Sequence, residues 1–379
     1  MDPLSTKLTV LIGATLPAPA PPRLVESIRR VQVTTSDSAR PGFQIVVADG
    51  RSGPGGLVDY PLLMDGSLDP FNRVILIVTF RGTPHILIDG VITHRELTPA
   101  AAPGGSDITV TGEDLTVMMD LEERSAEYPA SDEAAIVEQV ILGYARYGIT
   151  PSVVPPPTLD PPLPIDRIPG QQTTDLAFLR ILARRFGYVF HLTPGPAPAT
   201  SVAYWGPPVR AGVPARALSA GPGVEANVTG LSFRQDVLTP FQVSGSILDR
   251  LTNAELPVHS LPGLRVPLAA EADDLPGTGH PRTRQFRESG LSATQALARA
   301  QGMADGAGDS LTVTGNVDTE RYGDVLTARG LVGLRGAGWR HDGLYAVKRV
   351  THTFTRGRYT QSFTLSREGV GSTVPAVRP

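Results

Sequence analysis

The sequence predicts a mainly β protein of the α+β class, in which two β-rich stretches flank a mixed α/β insertion. Three observations lead there. Gly 40 and Pro 36 among 379 residues are high for a helical protein and normal for many short strands joined by turns. Runs such as "RVILIVTF" (73–80) and "FQIVVAD" (43–49) are β-branched or alternate by twos. Helical stripes of apolar residues are confined to a few stretches in the middle and late chain. A hydrophobic fraction of 41% argues against disorder, and the length fits roughly two or three domains.

Taken in order, "LTVLIGATL" (8–16) before "PAPAPP" reads as a first strand ending in a proline-rich turn. Asp2 and the lone Lys7 ahead of it lack the positive flank of a secretory leader. In "FQIVVAD", Phe43, Ile45 and Val47 share one face. "RVILIVTF" is long enough for a central strand. "RGTP" (81–84) is a hairpin turn, "ILIDGVITH" (86–94) its return strand, and "DITVTG" another strand after a Pro/Gly-rich loop at 99–105. Such neighbours build an antiparallel barrel or curled sheet, giving a first β domain over 1–112.

The pattern changes at 113. "SDEAAIVEQVILGYARYG" (131–148) places Ile136, Val140, Ile141 and Tyr144 on one helical face, with Ser131 or Asp132 as N-cap and Gly148 as stop. A linker holding Pro155, Pro156, Pro157, Pro161, Pro162 and Pro164 follows. "TTDLAFLRILARRFGY" (173–188) is a second helix, capped by Thr173 or Thr174 and stopped by Gly187, and "YVFHL" is the strand leaving it. These elements form the insertion, 113–222. Strands return with "NVTGLSFRQD" (227–236) and "FQVSGSILD" (241–249). A loop is expected over 257–281, then a capping box, Ser292 to Gln295, opening a helix that carries Leu297 and Met303. "SLTVTGNVD", "DVLTARGLVGL" and "HDGLYAVKRVTHTFTRGRYTQSFTLSR" (341–367) complete a second β domain, 223–379, with an excursion at about 250–305. The two β stretches rhyme: Asp89-Gly90 leads to Thr93-His94, and Asp342-Gly343 to Thr351-His352, at different spacings.

Chemistry is harder to find. The net charge of -3 leaves no surplus for a polyanion, and no basic run interleaved with aromatics occurs, so sequence-specific nucleic acid is not an expected partner. All but two of the 34 basic residues are Arg; Lys7 and Lys348 are the exceptions. Zero cysteines exclude disulfides, thiolate zinc sites and thiol catalysis. No apolar run approaches the ~20 residues of a membrane span. P-loop, nucleophile-elbow and zincin motifs are missing, and "GTGHPR" from Gly277 lacks the third glycine of a dinucleotide fingerprint. His85 and His94 would bind metal only if a hairpin made them face each other. The acidic run Glu113, Asp114, Asp120, Glu122, Glu123, Glu127, Asp132, Glu133 and Glu138 could supply a carboxylate pair to a glycosidase, and "YWGPP" (204–208) a stacking platform. A carbohydrate-binding or carbohydrate-active protein is therefore the rival reading. The plainer expectation is a solvated acidic surface and a loop anchor, with no catalytic, metal or cofactor site.

In the order "VILIVTFRGTPHILIDGVIT", "DLTVMMDLEERSAEYPASDEAAIVEQVILGYARYGITPSV", "QQTTDLAFLRILARRFGYVFHL", "AYWGPP" and "GLYAVKRVTHTFTRGRYTQSFTLSR", the chain resembles the baseplate hub proteins of contractile phage tails and contractile injection systems, the phage late control D family. The resemblance implies two tail-tube-like β-barrel domains separated by insertions. It also implies a homotrimer assembled in the bacterial cytoplasm that joins the sixfold tail tube to a threefold spike. Expected partners are tube or tube-initiator proteins, other baseplate proteins and a spike. Because the chain stops at Pro379 without an oligonucleotide-binding-fold spike or a lysozyme-like domain, the spike is expected to be a separate polypeptide. The hairpin tip Arg81, Gly82, Thr83 and the loop from Arg335 to Trp339 are the candidate docking surfaces.

Overall fold

A computed structural model describes residues 6–50, 59–100, 105–157, 168–221, 226–249, 253–261, 264–273 and 282–374. Thirteen strands join in one sheet. From one edge the order is Val228–Gln235, Leu311–Val317, Arg358–Arg367, Gly343–Thr355, Ile28–Ser36, Gly42–Asp49, Ser106–Asp114, Thr83–Thr98, Arg73–Phe80, Lys7–Gly13 and Ala18–Pro19. Leu331–Arg335 pairs with the start of 343–355, and Ala215–Ser219 lies parallel beside it. Both β-rich stretches are therefore predominantly antiparallel; "FQIVVAD" alternates buried and half-buried residues, and "RVILIVTF" is buried on both faces as a central strand. They differ from two separate barrels in one respect. Among the described residues neither closes on itself by hydrogen bonds; the sheet passes from one to the other where 343–355 pairs with 28–36.

Closure of the first unit is made by side chains instead. Around the start of the first strand a groove of about 680 Å³ separates Leu8 and Val10 from Ile28. Phe354 and Tyr359, stacked 4.3 Å apart, border it, with Phe80 meeting Tyr359 edge-on at 6.3 Å. The core beneath unites Val31, Val33, Ile45, Val74, Leu76 and Ile108 with Phe354 from the far end of the chain. Three further cores lie in the insertion, the second β unit and the excursion.

In the insertion, Asp132 caps the helix Glu133–Leu142 and Thr174 caps Asp175–Arg184, each accepting from a backbone N–H three residues on. A 3-10 turn, Ala145–Tyr147, ends at Gly148 with φ +78°. Ile149–Val153, Val189–Pro194 and Ser201–Gly206 form a three-stranded sheet. Within 113–222, the strand 215–219 belongs to the large sheet. Pro161, Pro162, Pro164 and most of "GTGHPR" lie outside the described residues.

The excursion corrects one expectation. Strands Glu255–His259 and Ala269–Ala272 occupy the expected loop 257–281, pairing with Gln242–Leu248 and Gly369–Ser372. The capping box at Ser292 and Gln295 opens the expected helix, Ala293–Asp305, whose buried face is Ala296, Ala300 and Gly302 while Leu297 is exposed. The small face matters because Gly302 crosses Gly187. A Cβ on Gly302 would stand 2.4 Å from the Gly187 nitrogen, so this helix docks on the insertion only through glycine.

Candidate assembly surfaces

The two β units repeat each other strand for strand. In chain order the first unit uses 7–13, 28–36, 42–49, 73–80, 83–98 and 106–114, and the second 215–219, 228–235, 311–317, 331–335, 343–355 and 358–367. Both arrange them in one spatial order: second, third, sixth, fifth, fourth, first. The repeat extends to register. In 83–98 the pairing shifts at Thr93, between Ile92 and His94; in 343–355 it shifts at Lys348, between Val347 and Arg349. Phe71 N donates to Ile92 O at 2.8 Å, and Arg329 N donates to Val347 O at 2.7 Å. Phe71 and Arg329, φ +65° and +70°, are both non-glycine residues in the left-handed region. Further out, the partners Val91, Glu113, Gly42 and Thr34 of the first unit match Ala346, Ser366, Thr312 and Arg234 of the second.

The Asp-Gly to Thr-His rhyme thus falls on equivalent strands, but out of step. Gly90 matches Tyr345, and His94 matches Arg349.

At the junction of the units, Val350, Thr351, His352, Thr353 and Phe354 face Thr35, Thr34, Val33, Gln32 and Val31. The hydroxyls of Thr34 and Thr351 are 3.1 Å apart, and His352 Nδ1 lies 2.8 Å from the Tyr359 hydroxyl. Burial, with a contribution from His85, pushes the His352 imidazole down to about 3. Lys348, on the bulge, reaches Asp37 at 2.9 Å and Asp309 at 3.2 Å. Arg210 and Arg265 meet the same Asp309, each at 3.0 Å. Burial opposes the charge on Asp309, yet these cations hold its carboxyl well below the usual range. Lys348 escaped the sequence reading. Its signal was rarity: it is one of two lysines, set in the middle of a strand.

Arg81 and Gly82 form a two-residue turn with φ +49° and +85°, the backbone signature of a type I′ hairpin. Both are exposed, as is Thr83. The Arg81 guanidinium lies over Phe80 and donates to Glu320 O at 2.9 Å. Arg335 ends its strand and donates through Nε to Ser219 Oγ at 2.7 Å, while Trp339 is 59% exposed beside Gly371. The strand order makes 81–82 and 336–342 equivalent turns, since each joins the fourth strand of its unit to the fifth.

The residues of the rival reading are distributed otherwise. Glu113 and Asp120 both bind Arg40, Asp114 caps Thr116, Asp132 caps a helix and Glu133 pairs with Arg185 at 3.5 Å. Trp205 is fully buried and donates to Leu179 O, and Tyr204 donates to Pro207 O at 2.8 Å, so "YWGPP" anchors a loop. His85 and His94 share one strand, which at ~3.3 Å per residue separates them by roughly 30 Å. Among the described residues no group of three or more His, Asp or Glu side chains is placed to hold a metal ion.

A cavity of about 1070 Å³ lies between the two β units, the insertion and the excursion. In its wall, Asp114 is raised to about 6 by burial, and His191 is lowered to about 3 by burial and then by Arg329. Among the described residues no helix is long and apolar enough to cross a membrane.

No family model matches the chain, and no curated protein matches it by sequence. Solved structures do. A tail protein from Neisseria meningitidis MC58 superimposes with a TM-score of 0.64 at 14% identity, over 97% of this chain and 98% of that one. The 43 kDa tail protein of prophage MuSo2 from Shewanella oneidensis gives 0.63 at 12% identity, over 96% and 99%. An E. coli component of the type VI secretion system, with structural similarity to T4 bacteriophage tail proteins gp27 and gp5, gives 0.52 at 14% identity, over 93% and 77%. The fold is that of phage tail proteins, and it spans nearly the whole chain.

Proposed function

We propose that this chain is a structural baseplate hub, a trimeric adaptor that joins a hexameric tail tube to a trimeric spike in a contractile injection particle. One observation carries the reading: a single chain holds two β units of identical strand order, joined edge to edge. Three such chains offer six quasi-equivalent units to a sixfold tube while remaining threefold toward a spike. The turns 81–83 and 335–339, equivalent in strand order, are the surfaces we assign to docking on neighbouring particle proteins. The likeness to tail and type VI secretion proteins supports the same role, and the work of the chain would be assembly, not catalysis. Light scattering coupled to size exclusion is expected to give three times the 40.1 kDa of the chain, with rings in negative-stain images. A monomer at every concentration, with or without tube protein, sinks the proposal.

A further inference from the structure

The internal junction is a template for a second one. The strand 343–355 uses one edge twice: residues 343–346 pair with 331–334, and 349–355 continue along that edge to pair with 30–36. Its equivalent, 83–98, pairs through 83–91 with 73–80, but the same edge from His94 to Thr98 carries no strand among the described residues. The equivalent of 28–36 is 228–235, which ends the sheet. Among the described residues each chain thus has one junction made and the two halves of another left open. His94, Arg95, Glu96, Arg234, Gln235 and Asp236 are all exposed, whereas Val33, Val350 and His352 at the made junction are buried.

Transferring the made register to the open edges dictates which residues meet. Opposite Thr34 and Thr351 stand Arg234 and Glu96; opposite Val33 and His352, Phe233 and Leu97; opposite Ser36 and Arg349, Asp236 and His94. This register follows from backbone pairing alone, yet it sets acid against base twice and apolar against apolar once, which a random register has no reason to do. Leu97 and Phe233 already lean on the first and second β cores, so the contact would set an apolar residue of one core against an apolar residue of the other. We infer that the edge 94–98 of one copy pairs antiparallel with the edge 232–236 of a second copy, Glu96 lying opposite Arg234. This rests on the trimeric ring proposed above and names the strands and register that close it. The contact is heterologous, so three copies close a ring by alternating three internal and three intermolecular junctions.

The chain contains no cysteine, so engineered pairs report without background. Asp37 N donates to Lys348 O at 3.0 Å. Pairs then alternate along the strands, which makes Thr34/Thr351, and hence Arg234/Glu96, a close non-hydrogen-bonded pair suited to a disulfide. Under mild oxidation the Glu96→Cys/Arg234→Cys variant is expected to run as covalent trimer on a non-reducing gel, and Glu96→Cys/Thr229→Cys as monomer. Independently, Glu96→Arg or Arg234→Glu alone should shift the trimer towards monomer at least tenfold in concentration, and the combined exchange should restore it. If the chain is trimeric while Glu96→Cys/Arg234→Cys stays uncrosslinked and the charge exchange changes nothing, this register is wrong and the ring stands. If the unaltered chain is monomeric throughout, ring and register fall together.

Discussion

In the first β unit the first strand, 7–13, runs antiparallel to its neighbour 73–80; in the second, the matching strand 215–219 runs parallel to 331–335. The other five strands of each unit agree in order and sense, and they share the bulge at Thr93 and Lys348. The difference follows from where the chain enters. In the second unit that strand arrives from the insertion, and in the first it opens the sheet. The inner strands are fixed by pairing on both edges, so their register cannot slip without turning a buried face outward. The strand 215–219 has one edge to satisfy, and the second edge of 7–13 is covered only by the two-residue strand Ala18–Pro19, so neither sense is imposed on them. The same contrast is seen in the cores. The first unit holds Arg73 and Asp89 in a buried bidentate pair at 2.7 Å, and Arg73 also donates to Tyr147 O at 3.0 Å. The matching positions of the second unit are Leu331 and Leu344.

That contrast yields the largest expected effect. Arg73→Leu leaves Asp89 buried without its partner and removes the tie to the insertion, so urea denaturation should show a loss of about 3–5 kcal/mol. Burial already raises the Asp89 carboxyl above its ordinary value against the pull of Arg73, so the orphaned acid would take up a proton more readily still. Arg73→Leu/Asp89→Leu copies the second unit and should recover most of the loss, because a well-packed apolar pair often equals a buried ion pair. A double variant no better than the single would show that the two units are not interchangeable at this position.

The outline of the repeat was legible, and its register was not. Strand-length β-branched runs, the Arg81-Gly82 turn and the caps at Asp132, Thr174 and Ser292 are local, and local chemistry identifies them. The Asp-Gly rhyme marked the right pair of strands because both need a residue free to make a close approach or a positive φ. Gly90 would put a Cβ 2.1 Å from Glu113 O, while Gly343 has φ +128°. These are different demands at different places, which is why the rhyme is out of step. The true markers of equivalence are the bulges at Thr93 and Lys348 and the left-handed residues Phe71 and Arg329. No residue type is reserved for a bulge, and neither Phe nor Arg advertises a positive φ. The strand 255–259 was missed for a related reason. Its Pro257 and the surrounding glycines and prolines outweigh a run of only five residues.

The acid limb of stability should separate the units next. His352 occupies the second unit at the position of Leu97 in the first. Its folded value of about 3 lies below the ordinary 6.5, so the stability it contributes is complete above 6.5 and is lost as pH falls toward 3. The slope is about 1.4 kcal/mol per pH unit in that window. His191, also lowered to about 3, adds a second slope of the same sign. Asp114, raised to about 6, works in the opposite sense, gaining as pH falls from 6 toward its ordinary 3.8. His352→Leu should therefore cost about 1 kcal/mol at pH 7, through the hydrogen bond lost by Tyr359. It should also remove one proton's worth of slope from denaturation midpoints measured between pH 6 and 4. An unchanged slope would mean that His352 is protonated in the native state.

The smallest effect tests whether equivalent strain has equivalent uses. Phe71 and Arg329 both sit at positive φ and both donate to the strand position before the bulge, but only Arg329 has a further duty. Its guanidinium donates to Ser36 O at 3.0 and 2.8 Å and to Leu192 O at 2.6 Å, tying the made junction to the insertion. Phe71 is 54% exposed. Phe71→Gly relieves the backbone and gives up little packing, so a gain of about 0.5–1 kcal/mol in thermal or urea unfolding is expected. Arg329→Gly relieves the same backbone but abandons three hydrogen bonds, and should lose stability. If both glycines stabilise, the Arg329 contacts hold nothing together and the junction rests on strand pairing alone. If both destabilise, the left-handed turn is itself required at the entry to the fourth strand, and the repeat of φ +65° and +70° reflects a demand of the backbone that neither side chain sets.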